Sequence, residues 1–245
     1  RWFFASADRK TEKIPGAPGR GSGPGFSQFC DRRRRKTTGW GRKIGVLGRK
    51  TLIGKALCCL RSVKPGVFIE RDGILNRVRI ERRHQVSPLT LEDFQVNQEA
   101  APLLRQLKAA GLLLIATTNQ PGLSRGDQSR RELDRMHDLL RRVFPLDDIL
   151  VCPHEAADQC PCRKPKPGLL LEAAFKWQVD LDQSFVVSDK WPDAEMARAA
   201  GCTSLLLQSP WLGDARRDFT LPSLEAIVAK ILALRAQPSV LAVQS

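Results

Sequence analysis

The chain has 245 residues, is 42% hydrophobic and carries a formal net charge of +14, enough for one domain with an appendage and a sizeable core. The charge excess lies wholly in residues 1–65, which hold 17 of the 40 basic and 3 of the 26 acidic residues and leave 23 of each for residues 66–245. No apolar run approaches the roughly 18–20 residues of a membrane span. The best N-terminal stretch, 51–60, is broken by Gly54 and Lys55 and lacks the layout of a secretory signal, so the chain reads as soluble and cytoplasmic.

Residues 1–65 are rich in Gly, Pro, Ser and basic side chains, with neither a helical nor a strand period. That composition favours a disordered extension, and its functional alternative is an arm for nucleic acid or an anionic surface. From residue 66 the pattern changes. The apolar run 66–70 predicts a buried strand, 99–110 a helix stopped by Gly111, and 112–117 a second strand. Residues 129–143 predict a charged amphipathic helix, with His137 on its solvated side, 149–152 a third strand, and 167–177 a helix with Pro at its opening turn. A fourth strand over 184–188, a helix over 193–200 closed by Gly201, a fifth strand over 203–207 and a final helix over 221–234 complete the series. Strands alternating with helices predict an α/β, three-layer, Rossmann-like parallel sheet. Ligands of such sheets bind at the carboxyl ends of the strands.

Each predicted strand end carries polar chemistry. Glu70-Arg71-Asp72-Gly73 follows the first and Thr117-Thr118-Asn119-Gln120 the second. Arg163-Lys164-Pro165-Lys166 comes after the third, and Ser188-Asp189-Lys190 ends the fourth. Carboxylates at two tips, with a hydroxyl and a lysine at two others, can surround a phosphoryl group and a hard cation such as Mg²⁺. The seven cysteines are an odd number, and Cys152-x-His154-x5-Cys160-x-Cys162 supplies three thiolates and an imidazole, a closed tetrahedral set suited to structural Zn²⁺. It would staple a loop too short for its own core. Trp177, Trp191 and Trp211 read as packing residues, Cys202 as a buried small hydrophobe, and His84 as part of a loop near the pocket.

In their order these motifs resemble the haloacid-dehalogenase-like phosphatases. The subgroup is the one containing D-glycero-D-manno-heptose 1,7-bisphosphate 7-phosphatase and histidinol-phosphate phosphatase, and the resemblance covers residues 67–207. It implies a phosphatase domain over 66–245 with no large cap domain. Residue 70 would be the nucleophile and an Mg²⁺ ligand, and Asp72 the general acid and base whose carbonyl also binds the metal. Thr118 and Asn119 would hold phosphate, Arg163, Lys164 and Lys190 would contact substrate, and Asp189 would complete the Mg²⁺ site. The partner implied is a small phosphorylated sugar, D,D-heptose 1,7-bisphosphate first, with histidinol phosphate as the alternative. The resemblance implies a monomer without membrane or nucleic-acid partners, except through the basic arm.

One departure stands out: the family's nucleophile is Asp, and this chain has Glu70. An extra methylene shifts the carboxylate by about 1.5 Å if the backbone stays put. Three readings follow, that Glu70 attacks, that it serves only as a metal ligand, or that it marks a binding protein without hydrolysis; the residues alone leave all three open. Ser188 in place of Gly is a milder change.

Overall fold

A computed structural model describes residues 63–236; the reading of residues 1–65 as a basic extension falls outside them except at its end, where Lys64 and Pro65 already belong to the first strand. The first strand, β1 (Lys64–Glu70), leads through a small antiparallel hairpin, β2 (Arg79–Glu81) and β3 (His84–Val86), to helix α1 (Ala100–Ala109). Then follow β4 (Leu113–Asn119), the single turn α2 (Gly122–Arg125), α3 (Arg130–Val143), β5 (Asp148–Cys152), α4 (Gly168–Trp177) and β6 (Val179–Ser188). The remainder is α5 (Trp191–Ala200), β7 (Thr203–Leu207), β8 (Phe219–Leu221) and α6 (Leu224–Ala236). The six large-sheet strands run in the order β5-β4-β1-β6-β7-β8, every pair parallel.

Burial on both faces explains why the central strands are continuous apolar runs. In β1, Val67 and Ile69 point to the core formed with Leu104 and Leu107 of α1, Met136 and Leu140 of α3, and Ile227 and Ile231 of α6. Phe68, between them, points to the opposite core with Leu169 and Leu170 of α4 and Met196 of α5. The result is the expected three layers. The insert between β1 and α1 contains only the β2–β3 hairpin, so the described residues include no large cap. No described helix is long and apolar enough to cross a membrane.

Three features depart from the sequence reading. The helix expected over 221–234 begins at Leu224, and Leu221 ends β8, paired with Leu207. Pro222 explains the break, since the residue before a proline is driven out of helical conformation, while Ser223 Oγ accepts a hydrogen bond from the Ala226 amide. The β2–β3 hairpin turns through Arg82 and Arg83 at φ 47° and 65°, a left-handed pair usually assigned to Asn and Gly. His137, expected in solvent, is 4% exposed.

Candidate active site at the strand tips

Parallel pairing sets the tips of β1, β4 and β6 side by side, with Glu70 opposite Thr117 and Ile69 opposite Val187. The chain leaving β1 turns sharply, with Leu75 and Asn76 donating their amides to the Arg71 carbonyl. Gly73 is required there: it sits at φ 103°, and a Cβ would lie 2.8 Å from Asp189 Oδ2. The turn thus brings the first and fourth tips into contact.

Lys164 ties the site together from the loop before α4. Its ammonium bonds Glu70 Oε2 in a very short contact, Asp193 Oδ1 at 2.6 Å and the Thr117 carbonyl at 3.2 Å, and its backbone amide donates to Asn119 Oδ1 at 3.3 Å. Gln120 Nε2 donates both to Asp72 Oδ2 at 2.9 Å and to Thr118 Oγ1 at 2.8 Å. Residues 70, 72, 118, 119, 164 and 189 therefore line one buried cluster. Arg163 is the exception: its guanidinium bonds the His154 carbonyl at 2.8 Å and braces the neighbouring loop.

Burial would push Glu70 up, but Lys164 and Lys190 outweigh it and hold the carboxyl below its ordinary range. Asp72 is similarly pushed up by burial, yet Arg71, Lys190 and Ser87 bring it down to about 2. Arg71 grips it through Nε–H to Oδ1 at 2.9 Å and a second nitrogen to Oδ2 at 3.0 Å. Asp193 behaves oppositely: burial, together with the Glu70 charge, raises it to about 6 despite Lys164. Burial also raises Asp189. One of its oxygens accepts from Gln85 Nε2 at 2.6 Å, while buried Oδ1 has no hydrogen-bond partner. Glu70 Oε1, the Asp72 carbonyl and Asp189 Oδ1 surround the Lys190 ammonium, at 3.5, 2.5 and 4.0 Å. Three oxygens of this kind, one an orphaned carboxylate oxygen, fit a hard cation.

A second ligand set follows β5. Cys152 Sγ lies 3.7 Å from both His154 Nδ1 and Cys160 Sγ, Cys162 Sγ is 3.3 Å from His154 Nδ1, and the Cys160–Cys162 sulfurs are 3.5 Å apart. A tetrahedron with metal–sulfur bonds of about 2.3 Å has edges of about 3.8 Å, so the four atoms are spaced to close around one ion. Burial and the neighbouring thiols push Cys162 up to about 12, whereas at Cys160 burial is outweighed by hydrogen bonds with Cys162 and the Arg163 backbone, which bring it down to about 7. Gly168 lets the loop fold against α4, since a Cβ there would meet the Pro161 carbonyl at 2.4 Å.

The model of the haloacid dehalogenase-like hydrolase family matches residues 44–201, more than half of the chain. The chain belongs to that family. It is 34% identical over 152 residues to the D-glycero-beta-D-manno-heptose-1,7-bisphosphate 7-phosphatase of Helicobacter pylori, covering 59% of this chain and 84% of that protein. With the enzyme of the same name from Haemophilus ducreyi it shares 32% over 182 residues, 67% of this chain and 97% of the relative. Among solved structures it is similar to the D,D-heptose 1,7-bisphosphate phosphatase of B. bronchiseptica in complex with magnesium and phosphate. The TM-score is 0.59 at 26% identity, over 69% of this chain and 98% of that one.

This hydrolase's site also contains residues whose contacts were not read from the sequence, Gln120 among them although it ends the second strand-tip motif. Ser87 Oγ donates to Asp72 Oδ2 at 2.7 Å, Gln85 holds Asp189, Gln120 joins Asp72 to Thr118, and Asp193 shares Lys164. Only Asp193 had a usable signal, a second carboxylate four residues after Asp189 on the opening turn of a helix. A cavity of about 470 Å³ beside the cluster is lined by Asp72, Arg83, His84, Lys190, Trp191 and Trp211 among others. Trp191, read as a packing residue, is 47% exposed there.

Proposed function

We propose that this hydrolase is an Mg²⁺-dependent phosphatase of a small sugar phosphate, D,D-heptose 1,7-bisphosphate, working through a phosphoryl-enzyme at Glu70. The observation that carries the reading is the convergence of Glu70, the Asp72 carbonyl and Asp189 on one cation position beside Lys164. The named relatives supply the substrate class. Glu70, the Asp72 carbonyl and Asp189 would hold Mg²⁺, which when bound neutralises charge on the phosphoryl oxygens. Thr118 and Asn119 take further phosphate oxygens, Lys164 offsets the charge of phosphate and nucleophile, and Lys190 faces the sugar side, while Arg163 would reach substrate only by leaving the His154 carbonyl.

A Glu70 oxygen attacks phosphorus, and the bond to the sugar oxygen breaks with its electron pair leaving on that oxygen. Asp72 supplies the proton, which it takes up from solvent as the substrate binds. Its carboxyl is ionised in the free protein, and the incoming phosphate dianion raises its proton affinity as any nearby like charge does. Water then attacks the acyl phosphate, losing its proton to Asp72 and restoring the Glu70 carboxylate with release of inorganic phosphate. Structural Zn²⁺ on Cys152, His154, Cys160 and Cys162 would fix the loop beside the site. The sheet domain from Lys64 onward would act as a monomeric cytoplasmic unit, with the residues before it as a basic extension.

A second reading, a phosphosugar-binding protein without turnover, is favoured by the contact of Glu70 with both lysines, which ties down the attacking oxygens. Phosphate release from a sugar-phosphate panel with and without Mg²⁺ separates the two. Turnover abolished by Glu70→Gln and by Asp72→Asn supports the enzyme; binding of the bisphosphate with no release from any substrate supports the binder.

A further inference from the structure

Lys190 stands where two roles collide. Its ammonium is 2.5 Å from the Asp72 carbonyl, 3.5 Å from Glu70 Oε1 and 4.0 Å from Asp189 Oδ1, the same three oxygens that the proposed function assigns to Mg²⁺. A divalent ion needs metal–oxygen distances of about 2.0–2.1 Å, so it and the ammonium cannot share that position. Lys190 also has somewhere else to go. It is the residue before α5, its side chain is 22% exposed, and it borders the 470 Å³ cavity. The longer side chain at position 70 contributes to the arrangement, because an Asp there would withdraw its carboxylate from Lys190 by about one carbon–carbon bond, roughly 1.5 Å.

We propose that Lys190 is a built-in counter-cation of the metal site: its ammonium occupies the divalent position in the metal-free protein and must swing into the cavity before Mg²⁺ enters. The affinity for Mg²⁺ is then the outcome of a competition inside the chain. The ammonium also keeps the carboxylates of Glu70 and Asp189 from facing each other uncompensated, so the metal-free protein holds this site in shape. The inference rests on the assignment of the three oxygens to Mg²⁺, and its test reads metal binding and stability rather than turnover.

Calorimetric titration of the full chain with MgCl₂ compares wild type with Lys190→Met and Arg83→Gln. Arg83 lines the same cavity and makes no ion pair among the described residues, so it controls for the loss of one positive charge. Lys190→Met should bind Mg²⁺ about tenfold tighter or more, in the usual range for two coupled occupants. The gain should persist at about 0.5 M salt, where exposed charges are screened, while Arg83→Gln should change by less than about twofold there. Equal affinity of wild type and Lys190→Met, or the same gain in Arg83→Gln, overturns the competition and leaves the phosphatase reading intact. No Mg²⁺ binding by any of the three proteins overturns both. Thermal unfolding gives an independent check with Lys190→Gln as a second variant. Both Lys190 variants should melt below wild type without Mg²⁺ and recover at saturating Mg²⁺; a deficit that Mg²⁺ does not close contradicts the proposal.

Discussion

Around Glu70, three carboxylates and two backbone carbonyls face two lysine ammoniums, all within one buried cluster. Around Cys160, three sulfurs and an imidazole nitrogen come equally close together, yet among the described residues no Lys or Arg side chain bonds any of the four ligand atoms. The first site carries its own positive charge and can keep its shape before a metal arrives. The second has no such charge of its own: burial holds Cys152 and Cys162 up, so an ion must supply the charge that lets all three thiols ionise together. The same fold thus holds one site that a metal completes and one that a metal would build.

The largest expected effect tests the second site. Cys162→Ser, or a chelator acting on the wild type, should remove one equivalent of zinc by metal analysis. Apparent zinc-binding energies of about 10 kcal/mol or more in small metal-folded motifs point to a melting temperature lower by about 10 °C or more. Unchanged melting after complete metal removal would show that the loop does not need the ion. Breaking the first site's internal charge balance should cost less. Asp193→Asn leaves Lys164 with Glu70 as its one side-chain carboxylate partner, and urea unfolding should show a loss of about 3 kcal/mol, as for other broken buried pairs.

Glu70→Asp sharpens the contrast between tethered and attacking carboxylate. A shift of about 1 Å in a reacting group is worth on the order of 100-fold, so kcat/KM for the best sugar phosphate should rise by about that factor if position 70 is the nucleophile. An unchanged rate would assign catalysis to another group. The smallest effect concerns His137, which burial and then the charges of Arg71 and Arg141 lower to about 3. Because the unfolded histidine titrates near 6.5, the unfolded chain binds the extra proton between pH 6.5 and 3, and stability falls as pH falls through that window. The His137 contribution should amount to about 2 kcal/mol by pH 5, and His137→Gln should flatten that part of the stability profile.

The parallel sheet could be read from the sequence because β1, β4 and β6 are buried on both faces and their apolar runs end abruptly in polar tips. The four strand-end motifs were visible for the same reason. What stayed hidden depends on contacts far apart in sequence or on unusual backbone. The β2–β3 hairpin turns on Arg82 and Arg83 instead of Asn-Gly, and β8 is only three residues long. His137 looked solvated because its helix is charged, yet it packs on buried Arg71, 3.4 Å from the guanidinium. Gln120, Gln85 and Ser87 are ordinary polar residues whose roles arise only where loops meet over Asp72 and Asp189. Lys190 was visible as a lysine beside Asp189; its position among three candidate metal ligands was not.

The most direct test is acid quenching of the protein during turnover of a sugar bisphosphate with Mg²⁺, followed by peptide mass spectrometry. A peptide containing Glu70 should carry the mass of one phosphoryl group, accumulate in Asp72→Asn and be absent in Glu70→Gln. Steady phosphate release with Glu70 never modified, or a phosphoryl group trapped on another residue, would contradict the assignment of Glu70 as nucleophile.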